Sequence, residues 1–416
     1  MNTAIKVESK GACECSDQEN AEQLNTRCLC PQLPPSIDSD LQIAAVPVFV
    51  AAPDLEKMST LIKTIDDIVH SAAWRQKILA NAPPIARRDP GNAGVLYGYD
   101  FHLHETGPQL IEINTNAGGA LIVTQILREQ SGCCASGETV SPSCRAEQTD
   151  SAIIDSLLND FDMVRGHRQP RLIVIVDRNP LQQYLFPEFQ RIAELLRARN
   201  LRVEISDPAE LLASPNGLML RGMPVDLIYN RLTDFYFEGE ELTALRDAYI
   251  NGAVIVTPNP YHHALYADKR HLALLTDPLI LAELGITTAQ QKILLEGIPE
   301  TRLVDSADSE QLWRQRKQFF FKPATAYGGK GAYRGAKLTL SAFEKLLQEN
   351  YVAQREVEPP LRSADVDGET VELKVDIRCY VYRGTIQLTA ARLWRGQTTN
   401  FRTAGGGFAT VSTTVR

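Results

Sequence analysis

The chain contains 416 residues, more than one hydrophobic core usually supports, so we expect two or three subdomains that fold as one enzyme-sized unit. Hydrophobic residues make up 44% of the chain and charged residues 23%, which excludes a fibrous or wholly disordered protein. The formal net charge of −8 provides no electrostatic reason for the chain to bind nucleic acid or an anionic membrane surface.

The sequence also bears on where the protein works. No apolar run approaches the roughly 20 residues that a membrane crossing needs, and the polar N-terminus lacks the apolar stretch of a signal peptide. We therefore expect a cytoplasmic protein, whose eight cysteines are reduced thiols rather than a disulfide framework. The C-x-C pairs Cys13/Cys15 and Cys28/Cys30 leave a thiolate metal site and a dispensable leader as alternatives, and their polar surroundings favour the leader.

The first part of the chain predicts a flexible leader over 1–40 and a folded portion over 41–164. Apolar residues at helical spacing predict a helix within 58–78. Residues 95–114 indicate two strands joined by a polar turn. A Cys-, Ser- and Gly-rich stretch over 130–149 is typical of a surface loop.

The second part, residues 165–262, predicts a small doubly wound α/β domain. It opens with the continuous apolar run 172–176, which is typical of a strand buried on both faces of a parallel sheet. Strands and helices then alternate, as such a domain requires. The predicted helices cover 187–199 and 240–251, and the predicted strands cover 202–205, 226–229 and 253–257.

The third part, residues 263–416, predicts an α+β unit built around a glycine-rich loop. Lys269 lies near the start of its first helix. The elements that follow are a strand over 319–323, the glycine loop, a helix over 341–348, a strand over 351–357 and a hairpin over 372–394.

Three acidic or amide residues on the early hairpin form the most specific local pattern. Glu112 and Asn114 are two residues apart on one strand, so both point to the same face, while Ile113 points to the other. If the hairpin pairs antiparallel, Asp100 approaches them and supplies a third oxygen group of the kind that Mg²⁺ prefers. A solvated hairpin face is the alternative, and the glycines at 118–119 favour a ligand site because they allow close backbone approach.

Two further patterns are suited to a polyanionic ligand. Lys322 ends a strand and is followed by a glycine loop over 327–331, whose N–H groups can surround phosphate oxygens, although it is not a Walker A loop. Between Lys374 and Arg416, seven cations accompany a single acidic residue, Asp376. That imbalance argues against a surface salt-bridge network, and Arg378 shares a strand face with Asp376.

Taken together, these segments resemble the ATP-grasp superfamily. Their order resembles its circularly permuted branch, which includes eukaryotic-type glutathione synthetase and glutathionylspermidine synthetase, because the segment 111–115 resembles a metal-binding strand yet comes first. The Arg- and Gly-containing segment 402–409 is similar to that family's substrate loop. The implied fold is α/β: a permuted α+β ATP-grasp unit with an inserted small doubly wound α/β domain.

The resemblance implies ATP and Mg²⁺ as cofactors. The metal would be held by Asp100, Glu112 and Asn114. The nucleotide would be bound by Lys269, Lys322, Tyr327, Gly328, Gly329, Lys330, Gly331, Gln354, Val357 and one of two alternatives for the ribose, Glu356 and Glu358. The catalytic groups would be Lys322, Arg378 and Arg402. The substrate candidates are Arg392, Asn400, Arg402 and, because ligands bind at strand ends of open sheets, Arg231.

The implied activity is that of a ligase which joins a carboxylate to an amine through an acyl phosphate and releases ADP and phosphate. Its partners would be small molecules: an amino acid, a short peptide or a polyamine. The glycine loop lacks an acidic residue that the glutathione synthetase loop uses as a metal ligand, so the product is not carried over. An ATP-grasp phosphotransferase and a non-catalytic ATP sensor remain alternatives, and a homodimer is compatible with the sequence.

Overall fold

A computed structural model of the chain describes residues 22, 25, 43–44, 46–129, 142–215, 217–325, 331–366, 368–397, 399 and 403–414. The predicted leader over 1–40 therefore lies outside the described residues except at two positions. Among the described residues, no helix is both long and apolar enough to cross a membrane.

The described residues alternate helices and strands. The strands are β1 Val48–Ala51, β2 Tyr97–His104, β3 Gly107–Asn114, β4 Ile173–Val176, β5 Val203–Ser206, β6 Leu211–Ser214, β7 Gly217–Leu220, β8 Met223–Val225, β9 Leu227–Asn230, β10 Ile255–Thr257, β11 Thr301–Leu303, β12 Phe319–Pro323, β13 Tyr333–Arg334, β14 Tyr351–Arg355, β15 Leu361–Val366, β16 Glu369–Tyr382, β17 Thr385–Trp394 and β18 Gly407–Thr414. The helices are α1 Ala52–Val69, α2 Ala72–Leu79, α3 Ala120–Glu129, α4 Pro142–Arg165, α5 Phe186–Ala198, α6 Thr243–Ile250, α7 Pro260–Tyr266, α8 Arg270–Leu275, α9 Pro278–Glu283, α10 Thr288–Gly297, α11 Ser309–Gln315 and α12 Leu340–Leu346.

The largest sheet has seven strands in the order β1-β18-β17-β16-β2-β3, with β15 paired to β16. Helix α1 covers one face of it. The helix buries Met58, Leu61, Ile62 and Ile65, which lie at i, i+3, i+4 and i+7 and so form a single stripe. Each such side chain contributes about 1.5–3 kcal/mol when fully buried. The sheet brings the early hairpin of the chain beside the late hairpin, β16–β17.

The predicted α/β domain contains a four-stranded parallel sheet in the order β10-β9-β4-β5. Along β4, Ile173 and Ile175 enter one hydrophobic core while Val174 and Val176 enter another. Both faces of the sheet are thus covered, which explains why the strand is a continuous apolar run. The sequence did not predict the adjacent three-stranded antiparallel sheet β6-β7-β8.

The third sheet is antiparallel, in the order β11-β14-β12-β13. On β12, Phe319 and Phe321 are completely buried in a core with Phe343. The alternating residues Phe320 and Lys322 therefore lie on the opposite face. That face looks into the cavity described below, so the strand's period of two separates its core residues from its ligand-facing ones.

Two local predictions differ from the structure in their bounds. The helix predicted within 58–78 is two helices, because Ser71 accepts a hydrogen bond from the main-chain N–H of Trp74 and begins α2. Part of the loop predicted over 130–149 is helical, since α4 begins at Pro142, and residues 130–141 lie outside the described residues. Asn25, within the predicted leader, exchanges two 2.9 Å hydrogen bonds with the main chain of Phe49.

Candidate functional site

A cavity of about 490 Å³ lies between the seven-stranded sheet and the antiparallel sheet β11-β14-β12-β13. Much of the site predicted from the sequence lines it. These lining residues are Glu112, Asn114, Lys269, Lys322, Gln354, Glu356, Val357, Arg378 and Arg392. The predicted residues Tyr327, Gly328, Gly329, Lys330, Asn400 and Arg402 lie outside the described residues.

The β2–β3 hairpin arranges its oxygen groups as the spacing predicted. Asp100 lies directly opposite Glu112, and Gly98 lies opposite Asn114. Ile113 points away into the hydrophobic core. Glu112 forms an ion pair with Lys269, with 3.0 Å between Glu112 Oε1 and Lys269 Nζ. The carboxylate and the amide of β3 therefore share one face beside a lysine.

Asp100 lies beneath this face and does not line the cavity. Arg378 donates to it from Nε and Nη2, each at 2.7 Å, and Arg392 donates from Nη2 at 2.9 Å. Asn114 Nδ2 donates to the same carboxylate at 3.1 Å. Burial raises the pKa of Asp100, but the two guanidinium groups outweigh it and hold the pKa at about 2. Both oxygens of Asp100 are thus engaged by protein donors.

The two arginines have protein partners, although the local count of charges argued against a salt-bridge network. Arg392 forms a bidentate pair with Asp376, at 2.6 and 2.8 Å, in addition to its contact with Asp100. The local count of charges missed Asp100 because it lies on a strand far away in the chain. The two guanidinium groups are thus matched by two carboxylates, Asp100 and Asp376, and both arginines lie about nine-tenths buried at the cavity wall.

The two predicted phosphate-binding lysines are held close together. The main-chain N–H of Lys269 donates to the carbonyl of Ala324, two residues beyond Lys322. Lys322 Nζ donates to the carbonyl of Ile111 at 3.0 Å and to Gln354 Oε1 at 2.7 Å. Burial lowers the pKa of Lys322 to about 8, while Glu112 opposes the shift. Both lysines line the same cavity.

Two aromatic side chains of the cavity wall, His102 and Trp394, were not among the predicted site residues. His102 lies two residues beyond Asp100 on β2, and its Nδ1 is 2.7 Å from the carbonyl oxygen of Val357. Burial lowers the pKa of His102 to about 4. The ring of Trp394 lies 6.4 Å from the ring of His102. The two-residue spacing from Asp100 was the available signal, because it puts His102 near the same face.

Arg231 serves the loop after β3 rather than the cavity. Its Nη1 donates to the side-chain oxygen of Asn116 and, at 3.3 Å, to the carbonyl of Ala117. Asn116 in turn donates to the carbonyl of Leu232 at 3.0 Å. Arg231 is only 6% exposed and does not line the cavity. These contacts tie the loop to the end of β9.

The glycines of this loop approach protein rather than an open site. A Cβ on Gly118 would lie 2.3 Å from Leu185 Cδ1, and Gly119 has φ +99°, in the region that glycine tolerates best. Tyr380 donates its hydroxyl to the carbonyl of Gly118 at 2.7 Å, and the N–H of Gly119 donates to Glu188 at 2.9 Å. The loop after the predicted metal strand is therefore held from several sides.

The two ribose alternatives differ in position. Arg334 pairs with Glu356 at 2.7 Å and with Glu358 at 2.8 Å. Glu356 lines the cavity, whereas the side chain of Glu358 is 79% exposed and lies outside it. The geometry therefore favours Glu356 as the group that a ligand in this cavity meets.

Sequence comparison provides a short local match. No protein-family model matches the chain. The ATP-grasp enzyme ankG of Aspergillus thermomutatus is 35% identical over 95 residues, which is 20% of this chain and 20% of ankG. The chain thus spans about a fifth of the length of this relative, too little to carry over an activity.

Structural comparison covers far more of the chain. The apo structure of a glutathione synthetase like-effector, GSS30 from Globodera pallida, aligns with 89% of each chain, at a TM-score of 0.58 and 12% identity. A putative gamma-glutamylcysteine synthetase from Methylobacillus flagellatus KT aligns with 86% of this chain and 87% of its own, at a TM-score of 0.49 and 12% identity, which is too loose to add to the argument. The first alignment confirms the predicted α/β fold.

Proposed function

We propose, from the premise that this chain has the α/β fold of a glutathione synthetase-like protein, that it is an ATP- and Mg²⁺-dependent ligase of the ATP-grasp type. In this proposal it joins a carboxylate to an amine through an acyl phosphate and releases ADP and phosphate. The partners are an amino acid, a short peptide or a polyamine. We also propose that its ATP-grasp elements are circularly permuted, because the metal strand β3 precedes Lys322 and Arg378 in the chain.

One observation carries the proposal: cationic side chains, a carboxylate and aromatic rings line the same cavity. Lys269 pairs with Glu112, and Lys322 and Arg378 line the cavity with them. The rings of Phe320, His102 and Trp394 line it too. A nucleoside triphosphate has the matching chemistry, with an anionic tail and a flat base. The lysines and the arginine supply charge-assisted hydrogen bonds to phosphate oxygens.

The residues present fit a magnesium ion. Glu112 and Asn114 offer a carboxylate and an amide oxygen to the cavity, and Mg²⁺ takes one or two such ligands together with phosphate and water. Because Asn114 donates its Nδ2 to Asp100, its Oδ1 is left for a metal. Asp100 itself would ligate only if it released Arg378 or Arg392. When bound, the ion would neutralise charge on the phosphates of ATP.

The chain's own residues would then act by position and charge. A substrate carboxylate oxygen attacks the γ-phosphorus of ATP, the bond to ADP breaks, and an acyl phosphate forms. The amine attacks the acyl carbon, loses a proton, and phosphate leaves. Lys322 and Arg378 would stabilise the negative charge that grows on the transferred phosphoryl group, and no protein nucleophile is needed. Glu356 would hold the ribose.

The test is Mg²⁺-dependent release of ADP from ATP, with amino acids, short peptides and polyamines added singly and in pairs. Release that requires a carboxylate pool and an amine pool together supports the ligase. A phosphotransferase would release ADP with one pool alone, and a sensor would bind ATP without releasing ADP. Formation of AMP instead of ADP would contradict the acyl-phosphate route.

A further inference from the structure

We propose that a second cavity, at the edge of the parallel sheet, binds a small carboxylic acid with an apolar body. The cavity has a volume of about 260 Å³ and lies where the segment 84–92 and the end of α4 meet the connection from α6 to the edge strand β10. It shares no lining residue with the cavity described above. The inference is therefore independent of the proposed use of ATP.

Apolar side chains form most of the wall of this second cavity. Val254, Ile255 and Val256 are at most 5% exposed and belong to the hydrophobic cores on the two faces of the sheet. Ile85 and Val164, which pack against those cores, also line the cavity. An apolar cavity of roughly 150 Å³ holds benzene, so this one has room for an aromatic ring or a branched chain together with a polar group.

Arg88 and Arg165 are the only charged residues among the described residues that line the second cavity. Both are held at the turn between α6 and β10. Arg88 Nη1 donates to the carbonyl of Ile250 at 2.6 Å, and Arg165 Nη2 donates to the carbonyl of Gly252 at 2.6 Å. A Cβ on Gly252 would lie 3.2 Å from Arg88 Nη2, so both guanidinium groups lie close to this one residue.

The two guanidinium groups are not neutralised by the protein around them. Neither forms an ion pair with a carboxylate in the part of the chain that the structure describes, and the carbonyls that they contact carry no net charge. Asp89, the next residue after the first arginine, lies 3.6 Å from Arg75, and Asp226 forms a 2.7 Å ion pair with Arg171. A bound anion would supply the missing negative charge, and the planar guanidinium group matches a carboxylate in geometry.

The apolar wall and the paired cations together select the class of ligand. An inorganic anion would leave the apolar wall in contact with water, and an uncharged apolar molecule would leave the guanidinium donors without an anionic acceptor. An amine would be repelled by both arginines. A carboxylate attached to a ring or a branched chain satisfies both parts of the wall.

The experiment titrates the full chain with phenylacetate by calorimetry and compares two partial analogues. Phenylacetamide has the same ring and nearly the same shape but no charge, and acetate has the charge but no ring. We expect phenylacetate to bind at least about tenfold more tightly than either analogue, because each analogue loses one of the two kinds of contact.

Variants place the binding in the second cavity. Arg88→Gln and Arg165→Gln should each weaken the binding of phenylacetate about tenfold, through the loss of a charged partner, and leave the binding of phenylacetamide unchanged. Arg87→Gln is the matched control, because Arg87 is exposed, donates to the carbonyl of Ala82 at 2.8 Å and lies outside the cavity. Lys322→Ala, which alters the first cavity, should bind phenylacetate as wild type does.

Equal affinity of wild type for phenylacetate and phenylacetamide would overturn the inference, since the arginines would then play no part. Wild-type affinity in both Arg88→Gln and Arg165→Gln would overturn it as well. A loss of affinity in Lys322→Ala would assign the probe to the first cavity, and absence of binding at about 10 mM phenylacetate would leave the second cavity without this ligand class. Each of these results leaves the proposed use of ATP intact.

Discussion

Asp100 and Asp160 are both completely buried, yet their surroundings differ in charge. Asp100 meets two guanidinium groups, which lower its pKa to about 2. Asp160, on α4, meets only neutral donors, and burial raises its pKa. Those donors are the side chains of Asn92, Thr257 and Tyr382 and the main-chain N–H groups of Ala93 and Gly94.

This difference in charge distinguishes a candidate ligand-binding site, around Asp100, from a structural contact, around Asp160. Around Asp100 lie four cations, Lys269, Lys322, Arg378 and Arg392, and three carboxylates, Asp100, Glu112 and Asp376. The cations exceed the carboxylates by one, so the cavity above Asp100 can receive an anion. Around Asp160 the donors come from three parts of the fold, the segment 92–94, β10 and the end of β16, and the carboxylate joins them to α4. A buried charge next to excess opposite charge therefore indicates ligand binding, and one among neutral donors indicates structure.

The largest effect should follow from removing a cation on the Asp100 side. Lys322→Ala should lower the rate of ADP formation about 10²–10³-fold, the loss typical of removing one group that stabilises transition-state charge. Lys317→Ala is the matched control, since Lys317 is exposed and lies outside the cavity. Full turnover by a folded Lys322→Ala protein would remove this lysine from the mechanism.

On the structural side, Asp160→Ala should lower the free energy of unfolding by about 3 kcal/mol, because buried donors lose their acceptor. The affinity of the folded protein for ATP should not change. Asp155→Ala on the same helix, where the carboxylate is exposed, should cost less than about 1 kcal/mol. Urea unfolding and ATP titration measure both quantities, and a loss of affinity in Asp160→Ala would erase the distinction between the two aspartates.

Arg231 tests whether the loop after β3 acts through position. Arg231→Ala should raise the Mg²⁺ concentration for half-maximal activity about 10–100-fold, as expected when the support of a metal ligand is lost. The KM for the carboxylate should stay unchanged, and Arg221→Ala, an exposed arginine of the same α/β region, should change neither. A raised carboxylate KM with normal Mg²⁺ dependence would instead assign Arg231 to the substrate.

The smallest expected effect is on the pH dependence of the free energy of unfolding. The contributions of Asp100 and Asp160 should change with pH in opposite directions. The folded pKa of Asp100 is below its ordinary value of 3.8, so its contribution is present above that pH and is lost as the pH falls toward about 2. The stability gap between wild type and Asp100→Asn should therefore shrink over that window. For Asp160 the folded pKa is raised, so its contribution is present below pH 3.8 and is lost as the pH rises.

The gap between wild type and Asp160→Asn should accordingly widen as the pH falls toward 3.8 and below it. Denaturant unfolding at several pH values measures both gaps. The same sign for both variants would contradict the assignment of charges in the two regions.

Local spacing was enough to predict part of the geometry around the cavity. Glu112, Asn114 and Asp100 share a hairpin whose period of two determines their common face, and the apolar run of β4 predicted a buried parallel strand. The pairing of Arg378 with Asp100 could not be predicted, because it depends on β16 lying beside β2, which sheet assembly alone decides.

Other misses have the same cause. The substrate role suggested for Arg231 rested on its place at a strand end, but the loop that it holds arrives from β3, on a different sheet. His102 was not among the predicted site residues, because the carbonyl that orients its ring belongs to Val357, far along the chain. The features that could not be predicted from the sequence are thus the ones that depend on contacts between segments far apart in the chain.

The most direct test is a structure of the protein with Mg²⁺ and a non-hydrolysable ATP analogue. The account predicts that the triphosphate lies between Lys269 and Lys322, with the metal on Glu112 and Asn114 and the base beside His102 and Trp394. An analogue bound elsewhere, or bound in this cavity with its base toward Glu112, would contradict the claim that the charged cavity is a nucleotide site.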